Sequence, residues 1–517
     1  MGYDTIVVGA GHNGLVCAAV LAKAGQKVLV VEASDRLGGA AGTREFAPGF
    51  KVSGCAHLLH LMPQTLIDEL GLSAKGFALA RSAMPTTALS EDGPLAIGRD
   101  SHASLAHRSA PDAEAFPAFA DALDRFGRTL FPIFGAPPPR LGTTEWEDRL
   151  AMLRLGWNVR RLGRKDMREF LRIVGMNVYD LLEDNFESPL LKGALGFDAV
   201  LGTNFGPRSP GTVLTLLYRL AAQSGASGGL AQPKGGMGGL SEALAAAARA
   251  AGAEIRTGAP VARILMENDR AQGVVLESGE RIVAKAVASS ADPRTTFLKL
   301  LGTEHLDTGF VRKVFHLRSR GLAAKLHLAL DALPEFTGLD AASLGGRLIL
   351  APSLDYLERA YNHSKYKEFS EAPALEITVP TVNDPTLAPD GKHVLSAIVQ
   401  YAPYELAQGW DAGRQRLADI AIGLIELHAP GLRERIVASE LLTPLDIERE
   451  YGIAGGHWHH GELAFDQFYM VRPVPGAAQY RTPVDGLYLC GAGSHPGGGV
   501  MGAAGRNAAR QMLKQAA

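Results

Sequence analysis

The apolar and polar positions alternate between two periods along this chain. A β-branched run, Asp4-Thr-Ile-Val-Val8, stops at glycine and passes into small apolar residues from Leu15 to Gly25, long enough for a helix. A second apolar run, Lys27 to Val31, ends on Glu32. The pattern predicts strand, tight turn, helix and strand within the first thirty-two residues. Arg44 to His60 reads as strand and loop, and helical spacing recurs at Gln64–Leu70, Asp112–Leu130, Glu145–Arg161, Lys165–Glu183 and Thr212–Ala222. Proline-rich turns such as Ala136-Pro-Pro-Pro-Arg140 separate these helices. An alanine-rich helix, Glu242–Ala251, precedes short strands around Gly273–Leu276 and Arg281–Ala288. Strand-like runs follow at Ala323–Leu330, Arg347–Pro352, Ala374–Val379 and His393–Tyr401, with a helix at Gly413–His428. The chain closes on a strand near Cys490, a glycine loop and a terminal helix.

The glycines of the first turn carry chemistry. Gly9, Gly11 and Gly14 form a GxGxxG motif between a strand and a helix, and an acid, Glu32, ends the second strand. Gly9 makes the turn, Gly11 admits a pyrophosphate close to the backbone, and Gly14 lets helix and strand pack. Free N–H groups and the positive dipole end of the helix suit phosphate, while Glu32 suits a ribose and argues against a 2′-phosphate. A dinucleotide site follows. A second glycine-rich turn, Arg36-Leu-Gly38-Gly39, lies within reach of the same phosphates.

Composition narrows the class. A chain of 517 residues calls for two or three packed domains. With 46% hydrophobic and 21% charged residues it reads as soluble and globular. A net charge of −2 gives no case for nucleic acid. The three cysteines, Cys17, Cys55 and Cys490, form no CxxC pair, so a disulfide framework, a structural zinc site and a disulphide reductase mechanism are not expected. No secretory signal and no apolar run of about 18 residues is found, and a cytoplasmic location is the expectation.

The segment from first strand through Glu32 to the paired glycines resembles the FAD-binding segment of amine oxidase and phytoene desaturase flavoproteins. The C-terminal half strengthens the likeness through His457-Trp-His-His460-Gly-Glu, Met470-Val-Arg472-Pro473, Tyr480-Arg-Thr-Pro483 and Gly497-Gly-Gly-Val-Met-Gly502. Essentially the whole chain resembles the phytoene desaturase and carotenoid isomerase family of FAD proteins. The fold implied is α/β, a Rossmann-like FAD-binding domain with an inserted mixed α+β substrate domain. FAD-binding segments are expected at 1–75, 226–300 and 466–517, and substrate-domain segments at 76–225, mainly helical, and 301–465, mainly sheet. The resemblance implies FAD contacts at Gly9, Gly11, Gly14, Glu32, Arg36, Gly38, Gly39, Val261, Gly491, Gly499, Val500 and Met501, with the Val261 backbone at the adenine. Amides at the start of the last helix are suited to the negative charge that a reduced flavin carries.

His459, His460 and His495 are the candidate catalytic residues. A general base or a substrate hydrogen bond from the 457–460 segment is one reading, ordinary packing the other; His495 stands either beside the flavin ring or as a filler of its turn. No carboxylate or cysteine spacing accompanies the histidines, so no metal is expected. Cys55, His57 or His60 offers a covalent flavin link, with ordinary packing the better reading. The expected activity is hydride removal from a C–H bond of an apolar or amphipathic small organic substrate, by a dehydrogenase, desaturase or oxidase. A reduced-flavin isomerase and a non-catalytic FAD-binding interaction protein are the alternatives. Peripheral contact with a membrane is compatible with the resemblance, although the sequence shows no clear amphipathic anchor.

Overall fold

The computed structural model describes residues 2–98, 101–221 and 228–516. Its first sheet gathers strands from three distant stretches of sequence. The opening strand, Tyr3–Val8, lies parallel between Val28–Val31 and Arg281–Ser289, with Thr5 opposite both Val28 and Ala286. Glu254–Arg256 extends one side. Leu487–Leu489 pairs with the far end of Arg281–Ser289, and an antiparallel pair, Val261–Glu267 and Arg270–Leu276, completes the other side. Val28–Val31 is buried at every position because helices and loops cover both sheet faces, which is why it reads as an unbroken apolar run rather than an alternation.

Three helices cover one face: His12–Lys23, Met237–Ala250 and Ala503–Ala516. Their small residues permit close approach. A Cβ on Gly505 would lie 2.0 Å from the Asn13 carbonyl oxygen, so the last helix can rest against the first only with glycine there.

Among the described residues the second sheet has seven strands, in the order Ile436–Leu442, Ala323–Leu330, His393–Gln400, Leu375–Thr378, Arg347–Leu350, Thr86–Ala88 and Leu95–Ile97. Neighbours are antiparallel except Arg347–Leu350 beside Thr86–Ala88. The helix Trp410–Glu426 packs on this sheet, and Phe126, Phe197, Phe170 and Leu191 centre the helical layer.

The elements differ from expectation in three places. The stretch 76–225, mainly helical as expected, also carries three-residue strands at Leu79–Arg81, which pairs with Gln232–Pro233, and at Thr86–Ala88 and Leu95–Ile97, which join the second sheet; runs so short carry no readable period. The expected helix Lys165–Glu183 is two helices, Gly163–Ile173 and Val178–Glu183, broken around Gly175. The helix expected over Thr212–Ala222 spans Thr212–Leu220, and Ala222 together with the 225/226 boundary lies outside the described residues.

Candidate active site

A cavity of about 610 Å³ runs between the two sheets, within the ~300–1,000 Å³ of ligand clefts. One end is bordered by Glu32, Val261 and Glu277, the middle by Gly9, Gly11, Gly38 and Ser290, and the other end by His57, Trp458, His459 and Ile398. It therefore spans from the fingerprint turn to the floor of the second sheet.

The fingerprint end is built by close backbone contact. Gly9 has φ +93°, a value side chains disfavour, and a Cβ on Gly14 would stand 2.1 Å from the Gly9 carbonyl oxygen. The second glycine turn docks on the first: Gly38 N–H donates to the Ala10 carbonyl at 2.9 Å, and Gly38 has φ +102°. The Glu32 carboxylate accepts from Ala10 N–H at 2.6 Å and Ser34 N–H at 2.9 Å, which aims it along the cavity edge. Space is open beside Gly11, where a Cβ would meet only Ser290 Oγ, at 3.8 Å. A cradle of amides, an acid beyond it and glycines that nothing else fills is a donor set that fits a dinucleotide.

Of the residues singled out in the sequence, Gly9, Gly11, Glu32, Gly38, Gly39, Val261, Gly499, Val500, His459 and His460 border this one cavity. Five do not. Gly14 holds the turn from beneath, and Gly491 is pressed on Ser290, whose carbonyl oxygen lies 2.3 Å from the place of its Cβ. Arg36 is half exposed and pairs with Asp35 and Glu450. Met501 is buried in the helical core. His495 is fully buried, its Nε2 2.9 Å from the Ile133 carbonyl, so its ring turns toward the helical layer.

The loop carrying His459 and His460 is held by Arg472. This guanidinium is 1% exposed and donates to carbonyls of His459 at 2.6 Å, Glu462 at 3.0 Å, Ala492 at 3.0 Å and Ser494 at 3.3 Å. It ties the histidine loop to the C-terminal glycine loop. A Cβ on Gly498 would lie 2.2 Å from His459 Nδ1, so the two loops touch with no room to spare. Enclosure lowers both histidines, His460 to about 4 and His459 well below its ordinary value, so both are neutral at pH 7. Their Nδ1 atoms have no hydrogen-bond partner among the described residues. Among those residues, too, no three His, Cys, Asp or Glu side chains are grouped to hold a metal.

Sequence reasoning missed the charged wall opposite. Glu376, 1% exposed, accepts from His57 Nε2 at 2.8 Å and from Arg219 at 3.1 Å, and it also pairs with Arg347. Asp198 in turn bridges Arg219 at 2.7 Å and Arg347 at 2.5 Å. Behind His57 lies Lys325 Nζ, 2.5 Å from Nδ1. Lys325 is 0% exposed, and burial pulls its ammonium down to about 7 despite the attraction of Glu376. His57 is lowered to about 4 by burial and by Lys325. Burial raises the Cys55 thiol to about 12, leaving it protonated and a poor nucleophile. These residues come from six separate stretches of chain; the one signal available was charge at strand positions otherwise apolar, Lys325, Arg347 and Glu376.

With the cradle and wall described, similarity to known proteins decides the class. The flavin containing amine oxidoreductase family model matches residues 14–513. The chain belongs to this family. It is 37% identical, over 99% of its length and 93% of the relative's, to the rat (Rattus norvegicus) protein named pyridine nucleotide-disulfide oxidoreductase domain-containing protein 2. It is 26% identical to the lycopene-forming phytoene desaturase of Pantoea ananas, over 97% of this chain and 96% of that one. Among solved structures it resembles cyclohexylamine oxidase from Brevibacterium oxydans, with TM-score 0.59, 16% identity and complete coverage of both chains. As a member of this family the protein is an FAD-dependent oxidoreductase, with the phytoene desaturase likeness expected from its C-terminal motifs. No helix among the described residues is long and apolar enough to cross a membrane.

Proposed function

We propose that this flavin oxidoreductase removes hydride from a C–H bond of an apolar or amphipathic small organic molecule, leaving a C=C or C=X double bond. The observation that carries the proposal is the continuity of one cavity from the dinucleotide cradle to a wall mixing apolar side chains, Leu58, Leu201, Ile398 and Trp458, with the imidazoles of His57, His459 and His460, the first hydrogen-bonded to buried Lys325. Non-covalent FAD, held by Gly9, Gly11, Glu32, Gly38, Gly39, Val261, Gly499 and Val500, supplies the hydride acceptor.

The chain's own residues supply the rest. Leu201, Ile398 and Trp458 orient an apolar substrate and keep water out. His459 and His460 border the cavity uncharged, so they offer polar contact without a charge that an apolar substrate would have to desolvate. Burial draws Lys325 in the wall down to about 7, and His57, which lines the cavity, is in contact with it. Where the oxidation releases a proton, Lys325 Nζ is where it is held. Relatives named for desaturation of a hydrocarbon favour an apolar substrate.

The test is anaerobic mixing of the purified protein with a panel of alkenes, alcohols and amines, read at the flavin absorbance. Bleaching by a hydrocarbon or amphipathic donor supports the proposal. Turnover that consumes no acceptor after a single priming reduction contradicts net oxidation and points to isomerisation.

A further inference from the structure

One face of the helical layer carries apolar and cationic side chains turned outward together. Along the helix Trp146–Arg160, Trp146, Leu150, Leu153 and Trp157 recur at i, i+4, i+7 and i+11 and so form one stripe. Trp146 is 67% exposed, Leu153 64% and Trp157 64%. The opposite side faces inward: Asp148 is buried, and Val159 packs against the helical core. The period of this stripe is that of any core-facing helix, which is why the sequence shows no clear anchor here; its direction is visible only in the fold.

Cations flank the stripe on both sides. At 100° per residue Arg149 and Arg160 fall along one edge and Arg154 and Arg161 along the other. The next helix, Gly163–Ile173, adds Arg164, Lys165 and Arg168. Residues 140–172 hold nine Arg and Lys against five Asp and Glu, in a chain whose net charge is −2. Four of those acids are already paired: Glu147 with Lys514, Asp148 with Arg140, Asp166 with Arg125 and Glu169 with Arg172. Arg154, Arg160, Arg161, Arg164, Lys165 and Arg168 form no ion pair among the described residues, so their charge is uncompensated.

We propose that this face docks on the surface of an anionic lipid bilayer. Indole rings suit the headgroup level, leucine the acyl boundary beneath it, and arginine stems lie on apolar surface while their guanidinium groups reach lipid phosphate. The charge argues for this occupant: a second copy of the chain would set like charges face to face, whereas an anionic bilayer joins dense negative charge to an apolar interior. The contact is peripheral, with the helix lying along the surface. Its attitude relative to the FAD domain is fixed by Glu147 on Lys514 and by Gln479 donating to Asp148 at 2.8 Å.

The experiment is sedimentation of the FAD-loaded protein with vesicles of phosphatidylcholine alone or of equal parts phosphatidylcholine and phosphatidylglycerol. Binding to the mixed vesicles, weakened by salt, is expected. The triple change W146S, L153S, W157S and the double change R160E, R161E should each lower the bound fraction about tenfold or more with flavin absorbance retained. As a second measurement, brominated acyl chains should quench the protein's fluorescence, and the quenching should vanish when Trp146 and Trp157 are phenylalanine, leaving Trp410 and Trp458. Absence of binding by the unaltered protein, or binding unchanged in both variants, overturns the proposal. So does a dimer that forms without vesicles and falls apart in the triple variant while vesicle binding is absent.

Discussion

Lys325 Nζ stands 2.5 Å from His57 Nδ1, although 268 positions separate them in the chain. The lysine lies on a fully buried strand of the second sheet, and the histidine on the loop after the strand Phe50–Ser53, so this contact ties that loop to the second sheet at the cavity wall.

Burial of this lysine makes stability depend on pH in a definite direction. Burial lowers Lys325 from 10.5 to about 7. Between those values the unfolded chain binds more protons than the folded one, so stability rises with pH across the window of about 7 to 10.5 and its contribution is complete above it. Below about 7 both states are protonated and the cost of a buried charge is present in full. Lys325→Met should abolish this rise, seen as the difference between variant and parent in urea unfolding, on the order of a few kcal/mol. In the substrate reaction the same variant should lose an inflection near pH 7 in the rate of anaerobic flavin reduction.

Glu376 holds two guanidinium groups, one of them, on Arg347, 1% exposed. Glu376→Gln leaves that cation with Asp198 as its remaining carboxylate partner. A loss of about 3–5 kcal/mol in denaturant unfolding is expected. Changing Glu376 and Arg347 together to apolar residues of similar volume should recover part of it.

Much of the cradle was legible in sequence because each part has a local cause. Gly9 needs a positive φ, Gly14 lies under a carbonyl, and Glu32 follows its strand at a fixed distance. The same locality made the strands Ala323–Leu330 and His393–Gln400 readable within a residue. The charged wall was not legible, because its parts, His57 on a loop, Asp198 and Arg219 on helices, and Lys325, Arg347 and Glu376 on strands, meet only through the packing of elements far apart in the chain. Arg472 was visible as part of a motif, but its task of binding backbone carbonyls on two loops follows from burial, which no spacing reports.

Glycine contacts in the cradle give a prediction on the cofactor. Gly14→Ala places a methyl group 2.1 Å from the Gly9 carbonyl oxygen, which must move the turn. FAD affinity, measured by reconstitution of the apoprotein, should fall about tenfold or more. Gly498→Ala instead pushes on His459 and should leave FAD bound while slowing its reduction.

The histidines should separate by role. His459→Ala or His460→Ala is expected to lower the rate of flavin reduction by substrate about 10²-fold with the flavin spectrum retained. His495→Ala, which removes the bond to Ile133, should lower the melting temperature and change the reduction rate little in the protein that remains folded.

The central claim is that the cavity houses FAD that accepts hydride from an organic substrate. It is tested most directly by the visible spectrum of the purified protein, recorded before and after acid precipitation and during anaerobic addition of candidate substrates. A flavin spectrum that leaves with the supernatant and bleaches with one hydrocarbon or amphipathic donor is the predicted result. A colourless protein that cannot be reconstituted with FAD, or bound flavin that no donor bleaches, would contradict the account.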